Sequence, residues 1–511
     1  MNLATPLRTR ILLPALLAIA CHESPGGGPP GGPPPPPPAV TCPPPLALAD
    51  VSRPTTVVGT GTPASCTEAG FAAAVAQGGV IAFNCGTDPF VLPLTSEKRV
   101  RLDVDTTIDG GGSVTLSGGG ATRLLALKHP NFESKSPTLR LQRLGLHAGY
   151  VTGPSPAGGG AAVYHYGGTV EAVDCVFSSN AAAASGPDVA GGAIFGVGNG
   201  DTVVVGSVFK DNSASSGGAV GSLYNGLVLV NDTFSRNSAT GANGSDGGNG
   251  GAVSMDGENK ALVICGSTFT GNTANYLGSA VFRTAYHQES TTIDRSLFQG
   301  GVAERATLFF MGTALAIANS TIAGNTGRKG WGGLFVSKHT LDGMDVPGSA
   351  AITNTTLAGN SAGTSLGGAL WVDDDQTTVT LTHATVAGNL ALFGAIAGRV
   401  SRVTFQDSLV AGNVATAAWN PISCTSGSAG SALMQWPREN GNGQAEPPCA
   451  GAGTTFGDPR LQALSENGGP TPTMALPPGS PAASAGVHCD GADQRGVARP
   501  ASGCALGAYQ P

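Results

Sequence analysis

The chain has 511 residues, with 26 basic and 33 acidic side chains for a net charge of −7, and charged residues make up only 12%. A dedicated nucleic-acid binder is excluded, because phosphate recognition needs a dense basic surface. Glycine, at 79 residues, is about twice as frequent as usual while aromatics stay at 5%, which leaves low-complexity disorder or a β architecture that turns very often.

The first 21 residues carry Arg8 and Arg10, then an apolar run from Ile11 to Ala20 that ends at Cys21. That run is too short to span a bilayer but suits the core of a signal peptide. Leu17-Ala18-Ile19-Ala20-Cys21 resembles a bacterial lipobox, which implies lipidation of Cys21; the alternative is an ordinary secretory signal. Residues 22–50 follow as a Gly/Pro-rich tether, whose composition cannot bury apolar surface and predicts disorder.

Beyond Cys21, nine cysteines remain, and three close pairs stand out: Cys66 with Cys85, Cys424 with Cys449, and Cys489 with Cys504. Each bridge would close roughly 15 to 25 residues, worth about 3 kcal/mol in chain entropy, and fits an oxidising compartment. Metal binding is the competing reading, but no CxxC pair or neighbouring His cluster supports it. Cys42, Cys175 and Cys265 are left over, the last two in strand-like runs where a buried free thiol is expected.

The body is periodic. Phe177 to Asn180, Phe209 to Asn212, Phe234 to Asn237 and Phe269 to Asn272 share an FxxN pattern, continued with an aliphatic first residue up to Asn325, Asn360, Asn389 and Asn413; Phe298 to Gly301 is a degenerate copy. A second motif follows most copies: Gly191-Gly192-Ala193-Ile194, Gly217-Gly218-Ala219-Val220, Gly250-Gly251-Ala252-Val253, Gly278-Ser279-Ala280-Val281, Gly332-Gly333-Leu334 and Gly367-Gly368-Ala369-Leu370. Disorder keeps no such register.

Three residues before each apolar slot stand Asp174, Gly206, Asn231, Gly266, Arg295, Asn319, Asn354, His383 and Asp407, mostly types that accept a left-handed turn. An apolar residue and an asparagine three apart both face inward only if the chain bends between them. Stacked coils would then place Phe on Phe and Asn on Asn, each buried amide bonding its copies above and below. These features predict an all-β, right-handed parallel β-helix.

Two flanking stretches complete the pattern. The first contains Cys66-Thr67-Glu68-Ala69, Gly78 to Phe83, Thr106 to Gly110 and Leu116-Ser117-Gly118. The second contains Asp458-Pro459, Asn467 to Thr473, Gly479 to Ala482, Asp493 to Gly496 and Gly507-Ala508-Tyr509. The paired motifs resemble polymorphic outer-membrane protein repeats of the pectin-lyase-like superfamily. The first stretch resembles the entry of such helices, which implies a short helix capping the first coil. The second is similar to the choice-of-anchor Q C-terminal domain. The implied organisation is a signal and lipobox over 1–21, a tether over 22–50, an N-terminal cap and first coils over 51–130, repeats over 131–420, and an irregular disulfide-containing C-terminal cap over 421–511.

The best acidic cluster is Asp373-Asp374-Asp375, but consecutive side chains on a turn diverge, so a solvated turn is expected. His383 and Arg295 read as variation at an exposed corner, and Asp109 as a turn residue. Gly241 to Gly250, and Arg328 to Gly330 with Lys338 to Pro347, are expected to project as recognition loops, with Trp331 and Trp371 packed beneath them. No catalytic residue, metal site or cofactor is assigned. The resulting expectation is a bacterial outer-membrane surface lipoprotein, or alternatively a secreted protein. It attaches to membrane through its lipid and binds a polysaccharide or surface-protein ligand without turnover. A polysaccharide lyase or hydrolase and a passive structural rod are the alternatives.

Overall fold

The computed structural model describes residues 41–511 except Gly244; the signal-like segment with Cys21, and the tether up to residue 40, lie outside the described residues. The fold is an all-β, right-handed parallel β-helix. Three strands recur in each coil, as in Ile194–Val197, Asp201–Val205 and Val208–Lys210. Each residue pairs with its counterpart one coil on: Ile194 with Val220, Thr202 with Leu227, and Phe209 with Phe234. Among the described residues the first strands form an 11-stranded sheet, here the front sheet, while second and third strands share a 26-stranded sheet.

Alternation along each strand decides what is buried. In the front sheet, Val163, Ile194, Val220, Val253, Val281, Leu308, Leu334 and Leu370 stack inward, fully buried. In the third strands, Phe177, Phe209, Phe234, Phe269 and Phe298 stack with ring centroids 4.5 to 4.8 Å apart, the spacing imposed by strand pairing.

The corner between second and third strands is built by the nine positions from Asp174 to Asp407, all left-handed with φ between 45° and 63°. Behind it runs a ladder in which Cys175 N–H donates to Ser207 Oγ, Ser207 N–H to Asp232 Oδ1, and Asp232 N–H to Ser267 Oγ. Asp232 is fully buried, and burial raises its pKa well above the usual carboxylate range. A second left-handed residue, such as Asp211 or Arg236, precedes each asparagine of the FxxN motif. Asn237 shows the resulting geometry: its Oδ1 accepts from Asn212 N and Nδ2 at 3.1 and 2.9 Å, and its Nδ2 donates to Asn272 Oδ1 and Phe209 O at 3.0 and 3.1 Å. The amide column runs from Asn180 to Asn272, is interrupted at Gly301, and resumes from Asn325 to Asn413.

The GG motif is a second tight corner. Its first glycine has positive φ, and a Cβ on the second, Gly218, would stand 2.2 Å from Gly251 O. In one coil the left-handed slot falls on Trp331 (φ 54°), so the motif starts one residue before the Gly332-Gly333-Leu334 reading.

At the N-terminal end the helix Glu68–Gln77 starts at Thr67, whose side chain accepts from Gly70 N–H, and buries Phe71, Ala74 and Val75. Residues 41–50, expected as the end of a disordered tether, are fixed against the solenoid. Thr41 and Cys42 N–H groups donate to Asn231 Oδ1, Ala49 exchanges two hydrogen bonds with Gln142, and Cys42 is disulfide-bonded to Cys265. Cys265 is therefore not a free thiol, because it ends a second strand beside the corner, at the place where this strap crosses. At the other end, strand pairing continues to Thr454–Phe456, and the remaining chain folds back along the same corners. Gly507 N–H donates to Asp407 O, Asn354 Nδ2 to Ala492 O, and Thr471 Oγ1 to Asn319 O. His383 is consequently not at an exposed corner: it is 4% exposed, with its Nε2 2.8 Å from His488 O.

The remaining bridges join Cys66 to Cys85, Cys424 to Cys449 and Cys489 to Cys504, and Cys175 is a buried thiol whose pKa burial pushes up to about 12. Among the described residues no helix is long and apolar enough to cross a membrane.

Candidate functional site

Straps cover the corners between second and third strands, whereas the outer side of the front sheet carries a different surface. From Val163–Tyr166 to Leu370–Val372 the second residue of each front strand points outward, giving the row Tyr164, Phe195, Gly221, Ser254, Phe282, Phe309, Phe335 and Trp371. Where neighbouring coils both carry an aromatic in this row the rings pack on one another; Phe309 and Phe335 have centroids 4.1 Å apart. Gly221 and Ser254 break the row, and a cavity of about 280 Å³ lies at the break. Phe195 and Phe282 bound it along the stack, Tyr276 and Leu277 lie on the loops entering the front strands, and Met311 belongs to the outward row beside the aromatic one.

The polar groups in this cavity include two carboxylates and one amide. Asp188 comes from the loop before Ile194–Val197, Asn249 from the loop 241–250, and Asp256 ends the strand Val253–Asp256. Asn249 Oδ1 and Asp256 Oδ1 are buried without a hydrogen-bond partner among the described residues. No Lys, Arg or His lines the cavity. Burial raises the Asp256 pKa; the Tyr286 hydroxyl opposes the rise, and the charge on Asp188 adds to it. Tyr286 and Tyr224 hydroxyls are raised in turn, first by burial and then by Asp256.

An aromatic rim flanks this side, made by the turns that leave the front strands. Phe132 lies 5.6 Å from Tyr166 and 5.9 Å from Tyr224, Tyr224 lies 6.4 Å from Tyr286, and Tyr286 stacks on His339 at 5.2 Å. The insertion 338–347 supplies that histidine as an antiparallel hairpin, His339–Leu341 with Met344–Val346. Arg328 to Gly330 does not project as a loop. It lies in the strand Thr326–Gly330, paired to Val302–Arg305, because the chain closes the short fourth side of the coil there.

Trp331 packs on Phe335 at 4.4 Å and Trp371 at 5.5 Å, with the Arg305 guanidinium 5.1 Å from its ring. A bulky residue at positive φ is a backbone outlier, here held by aromatic contacts. The acidic triplet does not converge. Asp373 accepts from Trp371 Nε1, Asp374 caps its own turn through Gln376 N, Thr377 N and Thr377 Oγ1, and Asp375 pairs with Arg399.

Sequence reasoning singled out the loop 241–250 that supplies Asn249 but missed Asp188 and Asp256. The signal was present one residue beyond the GGA(I/V) motif, where Phe195 and Phe282 flank Gly221 and Ser254. The cysteines and asparagines singled out in the sequence lie away from this cavity, in bridges and in the amide column.

No protein-family model matches the chain, and no curated protein matches it. Among solved structures it is similar to tailspike protein 3 of bacteriophage CBA120, at 12% identity and TM-score 0.35, covering 72% of this chain and 54% of that one. The chain therefore spans about half the tailspike's length. It is also similar to PfbA, a surface adhesin of Streptococcus pneumoniae, at 10% identity and TM-score 0.33, covering 82% of this chain and 99% of that one. A second PfbA structure gives 10% identity and TM-score 0.27, covering 74% and 93%.

Proposed function

We propose that this protein is a bacterial surface module that binds a glycan in the front-sheet groove without turning it over. The observation that carries the reading is the cavity at the break in the aromatic row, lined by Asp188, Asn249 and Asp256 between Phe195 and Phe282. Sugar hydroxyls supply donors, and the apolar faces of pyranose rings suit aromatic walls. Four disulfides agree with an oxidising compartment.

The anchoring part of the proposal rests on the lipobox-like sequence at Cys21 and on the repeat and C-terminal resemblances. Labelled fatty acid incorporated by the natural chain and lost in Cys21→Ala supports the anchor; unchanged labelling overturns it. Glycan-array binding without release of reducing ends or unsaturated uronates supports the binding function. The hydrolase alternative is favoured by one feature, a pair of carboxylates in one cavity with that of Asp256 raised in pKa. Release of reducing ends, lost in Asp256→Asn, would establish that reading instead.

A further inference from the structure

The ligand class follows from the charge balance of the groove, and this step rests on the glycan-binding reading above. Asp188 and Asp256 bring two carboxylates to the lining with no Lys, Arg or His beside them, while Asn249, Ser216, Ser222, Ser254 and Tyr276 are neutral groups that both donate and accept. Ser222 Oγ is committed to Asn225 O. With no basic side chain on the lining, a uronic-acid polymer would bring a third negative charge beside Asp188 and Asp256, with nothing to neutralise it. A protonated amine instead supplies three donors and a compensating charge. The lining also includes Phe195, Phe282, Leu277 and Met311, an apolar wall that an extended polyamine uses poorly and a sugar ring covers.

We infer that the front-sheet groove takes a polysaccharide of unacylated amino sugars, its ammonium group placed between Asp188 and Asp256. N-acylation removes the charge and adds bulk, so the same ring loses its pairing. A basic peptide would satisfy the carboxylates but not the ring-sized apolar wall, and it stands as a competing outcome.

The test uses the full chain and three immobilised probes: glucosamine oligosaccharides, their N-acetylated counterparts, and oligogalacturonates, with oligolysine as a fourth. The expected result is binding of the glucosamine oligomer, at least ~10-fold weaker binding of the N-acetylated one, and none of the galacturonate, the margin being that of a lost charge-assisted hydrogen bond. Asp256→Asn and Asp188→Asn should each weaken the glucosamine signal by ~10-fold or more, with an unchanged melting temperature showing that the fold is intact. Equal or tighter binding of the N-acetylated or galacturonate probe overturns this inference and leaves glycan binding standing. Oligolysine binding as tight as the amino sugar overturns it in favour of a peptide ligand. Failure of every saccharide overturns the inference and the glycan-binding reading together.

Discussion

Asn237 sits in the middle of the amide column and offers the sharpest test of how the coil is held. Truncation to alanine removes four hydrogen bonds: two that Asn237 Oδ1 accepts from Asn212, and two that its Nδ2 donates to Asn272 Oδ1 and Phe209 O. The Asn212 backbone N–H loses its partner outright, while Asn212 Nδ2 keeps Phe177 O. At about 1 kcal/mol net per bond, plus about 1–3 kcal/mol for a buried unpaired N–H, Asn237→Ala should cost about 5–7 kcal/mol. Asn237→Asp keeps the shape and the acceptor but places a carboxylate against Asn272 Oδ1 and Phe209 O. Its pKa in the folded state should lie above the unfolded value, so stability is lost as pH rises through the carboxylate range and is regained on acidification. Urea unfolding followed by far-ultraviolet dichroism, at pH 4 and pH 7, measures both. A cost below about 1 kcal/mol for alanine, or an aspartate variant with no pH dependence beyond that of the natural chain, would refute the column as a source of stability.

Three further outcomes follow from the packing. His165 is fully buried, with Nε2 2.9 Å from Thr202 Oγ1, and burial lowers its pKa to about 4. A depressed histidine resists protonation only when folded, so stability should fall by about 3 kcal/mol as pH drops from 6.5 to 4, and His165→Gln should flatten that slope in a pH series of unfolding curves. The Cys42–Cys265 bridge closes 223 residues, for which the chain-entropy relation gives about 5 kcal/mol. The Cys42→Ala, Cys265→Ala double variant should show faster hydrogen exchange over residues 41–55, with little change in coils that the strap does not touch; uniform exchange behaviour across both would contradict the strap. Trp331→Gly restores the residue type that other coils use at this left-handed slot, so relief of backbone strain offsets lost aromatic packing. It should cost less by thermal unfolding than Phe335→Ala, for which about 3–5 kcal/mol is expected.

The solenoid was legible in the sequence because stacking makes each coil repeat the same demands. Phe209, Phe234 and Phe269 recur in register, and a left-handed corner accepts few residue types cheaply, so Asn231, Gly266 and Asp407 betray one position. The strap was not legible. It joins Cys42 to a residue 223 positions away, and nothing local distinguishes Cys265 from a buried thiol. His383 was misread for a related reason, since the chain that covers it is more than a hundred residues downstream. The groove was hidden by the opposite difficulty. Its mark is a missing aromatic at Gly221 and Ser254, and a gap in a pattern becomes informative only once register shows that the neighbours form one stripe.

Ser254→Phe addresses the groove most directly, because it restores the aromatic row where the cavity opens and leaves Asp188, Asn249 and Asp256 in place. Glycan binding by this variant, beside the natural chain and with melting temperatures compared, should be abolished while the fold persists. Undiminished binding by a folded Ser254→Phe protein would show that the ligand is held elsewhere and would contradict the site.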